Sequence, residues 1–140
     1  MTQVRTIVFD KEAIQALSDT RHRKHMRALT AIHATADSRV QRKETSLLVA
    51  TAVRVEAGWD RTHPKPSAIN RFHIDDVVLD GPIANQAARL RTLLDVSVAD
   101  AHIGAVLAST PGPHAVITSD PEDVRRIADH IDADVRVVIL

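Results

Sequence analysis

Cysteine is absent from the 140-residue chain. That removes a disulfide framework, thiolate zinc sites and cysteine nucleophiles together, and it suits a reducing compartment. Aromatic residues are scarce as well, two Phe and one Trp with no Tyr. Modules that grip nucleic acid by stacking bases on aromatic rings are therefore disfavoured, and any RNA contact is expected to be mostly to phosphates. No apolar stretch approaches the roughly 18 residues of a membrane span; the longest are runs such as Leu47 to Ala50. Met1 to Phe9 lacks the form of a signal peptide. The expectation is a soluble, cytoplasmic protein folding as a single domain over residues 1–140, since a chain of this length buries about 68% of its unfolded surface.

Net charge is also lacking, with 18 basic and 18 acidic residues. The balance hides an asymmetry. Met1 to His73 holds 13 Lys/Arg against 7 Asp/Glu, and Ile74 to Leu140 holds 5 against 11. Halves of +6 and −6 suit a protein that holds a polyanion on one face and a cation in an acidic site, although folding can equally scatter such charges.

What is present is an alternation of strand and helix patterns. Val4 to Phe9 is β-prone and ends in Asp10, after which Ala13, Ile14, Ala16 and Leu17 recur at helical spacing. A second helix is predicted over Arg21 to Ala36, with a basic start at Arg21, Arg23, Lys24 and Arg27. Leu47 to Val49 reads as a buried strand and Thr51 to Asp60 as a helix, and His63-Pro64-Lys65-Pro66 breaks the chain. Phe72 to Leu79 returns to strand character before a helix over Pro82 to Leu94. Ser97 can N-cap a helix through Leu107, with Asp100 in the capping-box position. Ala115 to Thr118 and Val135 to Leu140 are strands flanking a helix with Val124, Ile127, Ala128 and Ile131 as its buried stripe. The order predicts a three-layer α/β domain around a largely parallel sheet, because crossover helices cover both faces.

In such a sheet, sites gather outside the carboxyl ends of the strands. Asp10 and Asp120 each follow a strand, Asp100 lies in a first helical turn, and Glu56 lies just past the Leu47–Val49 strand. Four carboxylates distant in sequence could meet in one cleft. Like charges about 4 Å apart repel by roughly 4 kcal/mol at an effective dielectric of 20, so the group would need a cation, protonation or separation. Mg²⁺ or Mn²⁺ is the economical solution, being suited to carboxylate and water oxygens. Each acid has a plain structural role beside this one: Asp10 and Asp120 can cap helices, Asp100 can complete the Ser97 box, and Glu56 can be an ordinary exposed helix residue.

The ordered segments Ile7-Val8-Phe9-Asp10, Val53-Arg54-Val55-Glu56-Ala57-Gly58-Trp59, Val96-Ser97-Val98-Ala99-Asp100-Ala101-His102-Ile103 and Val116-Ile117-Thr118-Ser119-Asp120-Pro121-Glu122-Asp123-Val124 resemble a PIN domain. The likeness spans essentially the whole chain and is closest to short VapC-like toxins of toxin–antitoxin pairs. It implies a metal-dependent endoribonuclease with acidic ligands at Asp10, Glu56, Asp100 and Asp120, and Asp123 as an additional acid. It also implies strand order 3-2-1-4-5, a homodimer, inhibition by a small antitoxin, and products with a 5′-phosphate and a 3′-hydroxyl. Lys11 and Glu12 depart from the family's pattern of small residues after the first Asp and bring a cation and an extra carboxylate toward the pocket.

On this reading Asp10 and Asp100 bridge the metal, with Glu56 and Asp120 direct or water-mediated. Asp120 or Glu56 accepts the water proton, and the Thr118 or Ser119 hydroxyl orients that water or a ligand. Arg21, Arg23, Lys24, Arg27 and Lys11 would hold phosphates, though a solvated helix face explains the run equally well. The eight His residues show no metal-ligand grammar, and His102 is expected to be a satisfied helix histidine. The rival to an enzyme is a PIN-like module that binds RNA or a protein without cutting. A phosphoacceptor role for Asp10 is less attractive, because Phe9-Asp10-Lys11-Glu12 lacks a DxD arrangement.

Overall fold

The computed structural model describes residues 3–36, 44–65 and 67–140; Pro66, in the predicted chain break, lies outside them. The element order is β1 (Thr6–Phe9), α1 (Lys11–Ser18), α2 (His25–Thr35), β2 (Ser46–Ala50), α3 (Thr51–Ala57), a 3-10 turn (Ala68–Arg71), β3 (Ile74–Val77), α4 (Gly81–Leu94), α5 (Val98–Ser109), β4 (His114–Thr118), α6 (Pro121–Ile131) and β5 (Val135–Ile139). All strand pairs are parallel, in the order β3-β2-β1-β4-β5, and the helices complete a three-layer α/β/α arrangement. The predicted alternation and the strand order both stand. Among the described residues, no single helix is long and apolar enough to cross a membrane.

The sequence makes β1 and β4 central because every residue of each is buried, the continuous apolar run expected of a parallel strand covered on both faces. Edge strands β3 and β5 instead leave residues to solvent. Trp59, 6% exposed, helps pin the β3 edge: the Arg54 and Arg61 guanidinium groups lie 5.2 and 4.1 Å from its ring centroid. Both also bond the Asp76 carboxylate of β3, at 2.8 and 2.9 Å. Gly58, at φ +71°, ends α3 in the left-handed conformation that glycine adopts without strain.

The second helix starts later than its apolar pattern predicts. Arg21 to Lys24 form a turn, and α2 begins at His25. Side chains compete with the helix here: Asp19 Oδ1 accepts the Arg21 N–H at 2.9 Å, and His22 Nδ1 accepts the Lys24 N–H at 3.0 Å.

Helix α5 is buried nearly all round, from Ala101 to Leu107 without a break. Gly104 permits its close approach to α4 and α6, since a Cβ there would stand 2.6 Å from Leu90 Cδ1 and 2.9 Å from Ile127 Cγ2. Gly104→Ala gains about 1 kcal/mol of helix propensity but meets an overpacking cost of about 1–3 kcal/mol. Leu90 can turn aside; the β-branched Ile127 is stiff. A net loss of about 1 kcal/mol is expected in urea unfolding, and an unchanged or raised midpoint would show that the helices separate freely.

Candidate functional site

The chain runs outward from β1 to β2 to β3 and then crosses to β4 on the other side of β1. The carboxyl ends of β1 and β4 therefore border a topological switch point, where a crevice opens in a parallel sheet. Register pairs Phe9 with Ile117, which sets Asp10 beside Thr118.

Asp10 is 8% exposed and held by three donors. Its Oδ1 accepts the Ala13 N–H at 2.9 Å, capping α1, and its Oδ2 accepts the Thr118 hydroxyl at 2.5 Å and the Ser119 N–H at 3.1 Å. Thr118 Oγ1 in turn accepts the Asp120 N–H at 2.8 Å, so its proton is directed to Asp10. Burial pushes the Asp10 carboxyl above its ordinary range, against the pull of these donors. The Thr118 hydroxyl, expected to orient water, thus orients an acid, and Ser119 meets the same carboxylate through its backbone N–H.

Asp100 lies in the first turn of α5, where Ser97 Oγ accepts its N–H at 3.1 Å. Its carboxyl is half-buried and pushed up to about 6, first by burial and then by the charges of Asp123, Asp120 and Asp10. Asp120 is raised as well, by burial and by Asp123. One oxygen from each of Asp100, Asp120 and Asp123 lies within 4.8 Å of the others. Asp10, Asp100, Asp120 and Asp123 accordingly form one electrostatic group. Arg126 reaches its edge, donating to Asp123 Oδ1 at 3.1 Å and to the Leu94 carbonyl. The i,i+3 spacing of Asp123 and Arg126 carried that contact in the sequence, and the reading above passed over it.

Glu56 does not join this group. It is exposed on α3, on the wall of an apolar trough of about 410 Å³ shared with Val55, Leu79, Val98 and Ala99. Lys11, Arg21, Arg23 and Arg27 are exposed. Lys24 is not: its side chain is 13% exposed, and its ammonium sits 2.9 Å from Glu12 Oε1. The Ser119 hydroxyl and Lys24 hold Glu12 below the usual carboxylate range.

His102 is fully buried, and its Nδ1 accepts the Ala52 N–H at 3.3 Å. It supplies a partner for the first turn of α3, whose N-cap residue Ala50 has no side chain to do so. Burial lowers its pKa. The satisfied helix histidine expected from the sequence is satisfied at Nδ1 alone, since the buried Nε2 has no hydrogen-bond partner among the described residues.

The four Asp residues fit a hard divalent cation on chemical grounds. The donors are all carboxylate oxygens, as Mg²⁺ and Mn²⁺ prefer. The charges of Asp123, Asp120 and Asp10 add to burial in raising the Asp100 carboxyl, so the group gathers like charge that a cation would offset. A cavity of about 960 Å³ at the other end of the sheet, lined by residues such as Arg5, Ser46 and Pro111, brings no comparable group together among the described residues. Compared with protein-family models and with curated proteins, the chain matches none.

Proposed function

We propose that this chain is a metal-dependent endoribonuclease of PIN type, hydrolysing RNA phosphodiester bonds in the cytoplasm as the toxin of a type II toxin–antitoxin pair. The observation that carries the reading is the convergence of Asp10, Asp100, Asp120 and Asp123 at the β1/β4 switch point, with Asp100 pushed up to about 6 by burial and then by its acidic neighbours. Asp100, Asp120 and Asp123 are the residues that would hold Mg²⁺ or Mn²⁺. A bound ion supplies an acidified water and offsets charge that builds on the phosphoryl oxygens.

The protein groups divide the remaining work. Asp10, fixed by Thr118 and Ser119, gives the group a rigid wall and cannot swing away. Asp120, the exposed member, takes the proton of the attacking water; Glu56, the other candidate, stands outside the group. Lys11, Arg21, Arg23 and Arg27 hold phosphates on either side of the scissile bond, which makes binding salt-dependent. A homodimer and a small antitoxin belong to the same reading. The apolar trough, with Val55 81% and Val98 50% exposed, is the surface that supports a partner.

The test is cleavage of RNA by purified protein. Cutting with Mg²⁺ or Mn²⁺, none in EDTA, and products bearing a 5′-phosphate are expected. A second reading, a module that binds RNA or protein without cutting, is favoured by one observation: both Asp10 oxygens already accept hydrogen bonds. RNA or partner binding without cleavage in any divalent metal would select it.

A further inference from the structure

The Lys24–Glu12 contact is unusual within its own segment. Arg21, Arg23 and Arg27 project into solvent, whereas Lys24 lies folded against α1. Burying a lysine costs rotamer entropy and hydration, which a paired carboxylate offsets. Glu12 stands two residues after Asp10 in the first turn of α1, and the Ser119 N–H donates to Asp10 Oδ2 at 3.1 Å. The Lys24–Glu12 pair thus fastens the residue before α2 to the first turn of α1, the turn that Asp10 caps and joins to the end of β4. Among the other side-chain bonds of the segment, Asp19 to the Arg21 N–H and His22 to the Lys24 N–H act within the turn, and His25 Nδ1 to the Ala16 carbonyl, at 2.7 Å, joins the start of α2 to α1. Those bonds shape the turn, while the Glu12 contact ties it to the acidic site. An acid at position 12 repels both Asp10 and any RNA phosphate, so its presence calls for an offsetting role.

We propose that Glu12 and Lys24 are positioning residues, a clamp that holds the arginine-bearing turn beside the acidic group so that Arg21 and Arg23 meet the phosphates flanking the cut. Lys24 is then a tether and not itself a phosphate contact. The consequence for RNA rests on the nuclease reading above, and the clamp goes beyond it by assigning two residues roles opposite to those their charges suggest.

The sign of one variant separates the two roles. Removing a negative charge by Glu12→Gln should tighten RNA binding if Lys24 were a phosphate contact, because it frees the ammonium and relieves repulsion. The clamp requires the reverse. Binding of a fluorescein-labelled single-stranded RNA is measured by anisotropy in EDTA, and cleavage kinetics in Mn²⁺, with thermal midpoints to establish that each variant folds. Glu12→Gln and Lys24→Met are each expected to weaken binding about three- to fivefold, the scale of one partly buried ion pair. KM should rise with kcat unchanged. The double variant should be no weaker than either single one, Lys24→Arg should bind as the wild type does, and exchanging the charges (Glu12→Lys with Lys24→Glu) should recover affinity.

Tighter binding by Glu12→Gln, additive losses in the double variant, or wild-type affinity in both single variants would overturn the clamp. Failure of the nuclease reading registers separately, as wild-type protein that binds the RNA in EDTA but does not cut it in Mn²⁺. A wild type that fails to bind RNA overturns both.

Discussion

Asp100→Asn is expected to lower metal-dependent RNA cleavage by about 10²- to 10³-fold, the scale on which removal of a group stabilising transition-state charge is felt, while the protein stays folded. Asp100 is the informative choice because its carboxylate is the member of the group that its surroundings least favour as an anion: burial and three acidic neighbours all push its pKa up. A neutral amide of the same shape relieves that repulsion and leaves Ser97 free to accept the helix N–H. Asp10→Asn makes a poorer test. Its two oxygens accept from Ala13, Thr118 and Ser119, and an amide presents its NH₂ to one of those donors. The resulting mismatch costs about 1–3 kcal/mol, so lost activity there would mix chemistry with unfolding. Cleavage rates of Asp100→Asn under saturating Mn²⁺, set beside its far-ultraviolet circular dichroism, decide the matter. Wild-type cleavage by the folded variant would remove Asp100 from the mechanism.

How far the site could be read from the chain depends on the range of the interaction involved. Asp10, Ser119 and Asp120 were legible because strand ends are: uninterrupted apolar runs stop at Phe9 and just after Ile117, and a parallel sheet places such ends together. Ser97 and Asp100 were legible as a local capping pattern. Glu56 was not, because α3 has seven residues and exposes Val55 on the same turn. So short a helix shows no stripe from which its buried face can be deduced. Lys24 failed for another reason. It stands in a run of basic residues that reads as a solvated face, and its partner lies on the preceding helix, beyond the reach of i,i+3 or i,i+4 rules. The same run hid the start of α2, since Asp19 and His22 capture backbone N–H groups that helix periodicity assigns to the helix.

The acidic group also makes stability depend on pH and metal in a way that the Asp100→Asn variant isolates. In the folded protein the Asp100 carboxyl titrates at about 6 against 3.8 for the unfolded chain. Between those values the native state binds more protons than the unfolded one, so this residue's contribution falls as pH rises through that window and stays low above it. Carried in full, the shift amounts to about 3 kcal/mol; solvent screening of a half-exposed carboxyl brings it to about 1–2 kcal/mol. His102 and His114 work in the opposite direction. Burial lowers their folded pKa values, so the unfolded chain takes up their protons first, and stability falls as pH drops below about 6.5. Because the histidines are common to both proteins, the difference between Asp100→Asn and wild type reports the Asp100 carboxyl together with its coupling to the neighbouring acids. In EDTA, that difference should be near zero at about pH 4 and grow to about 1–2 kcal/mol in favour of the variant by about pH 7. Divalent metal should reverse the order. An ion that binds only the native state adds about 2.7 kcal/mol at a hundredfold excess over its Kd, and the variant, short of one ligand, should gain much less. Urea unfolding of both proteins across this range, with and without Mn²⁺, provides the measurement. A difference that is flat with pH, or an equal response of the two proteins to Mn²⁺, would mean that Asp100 neither carries the strained charge nor helps to hold the ion.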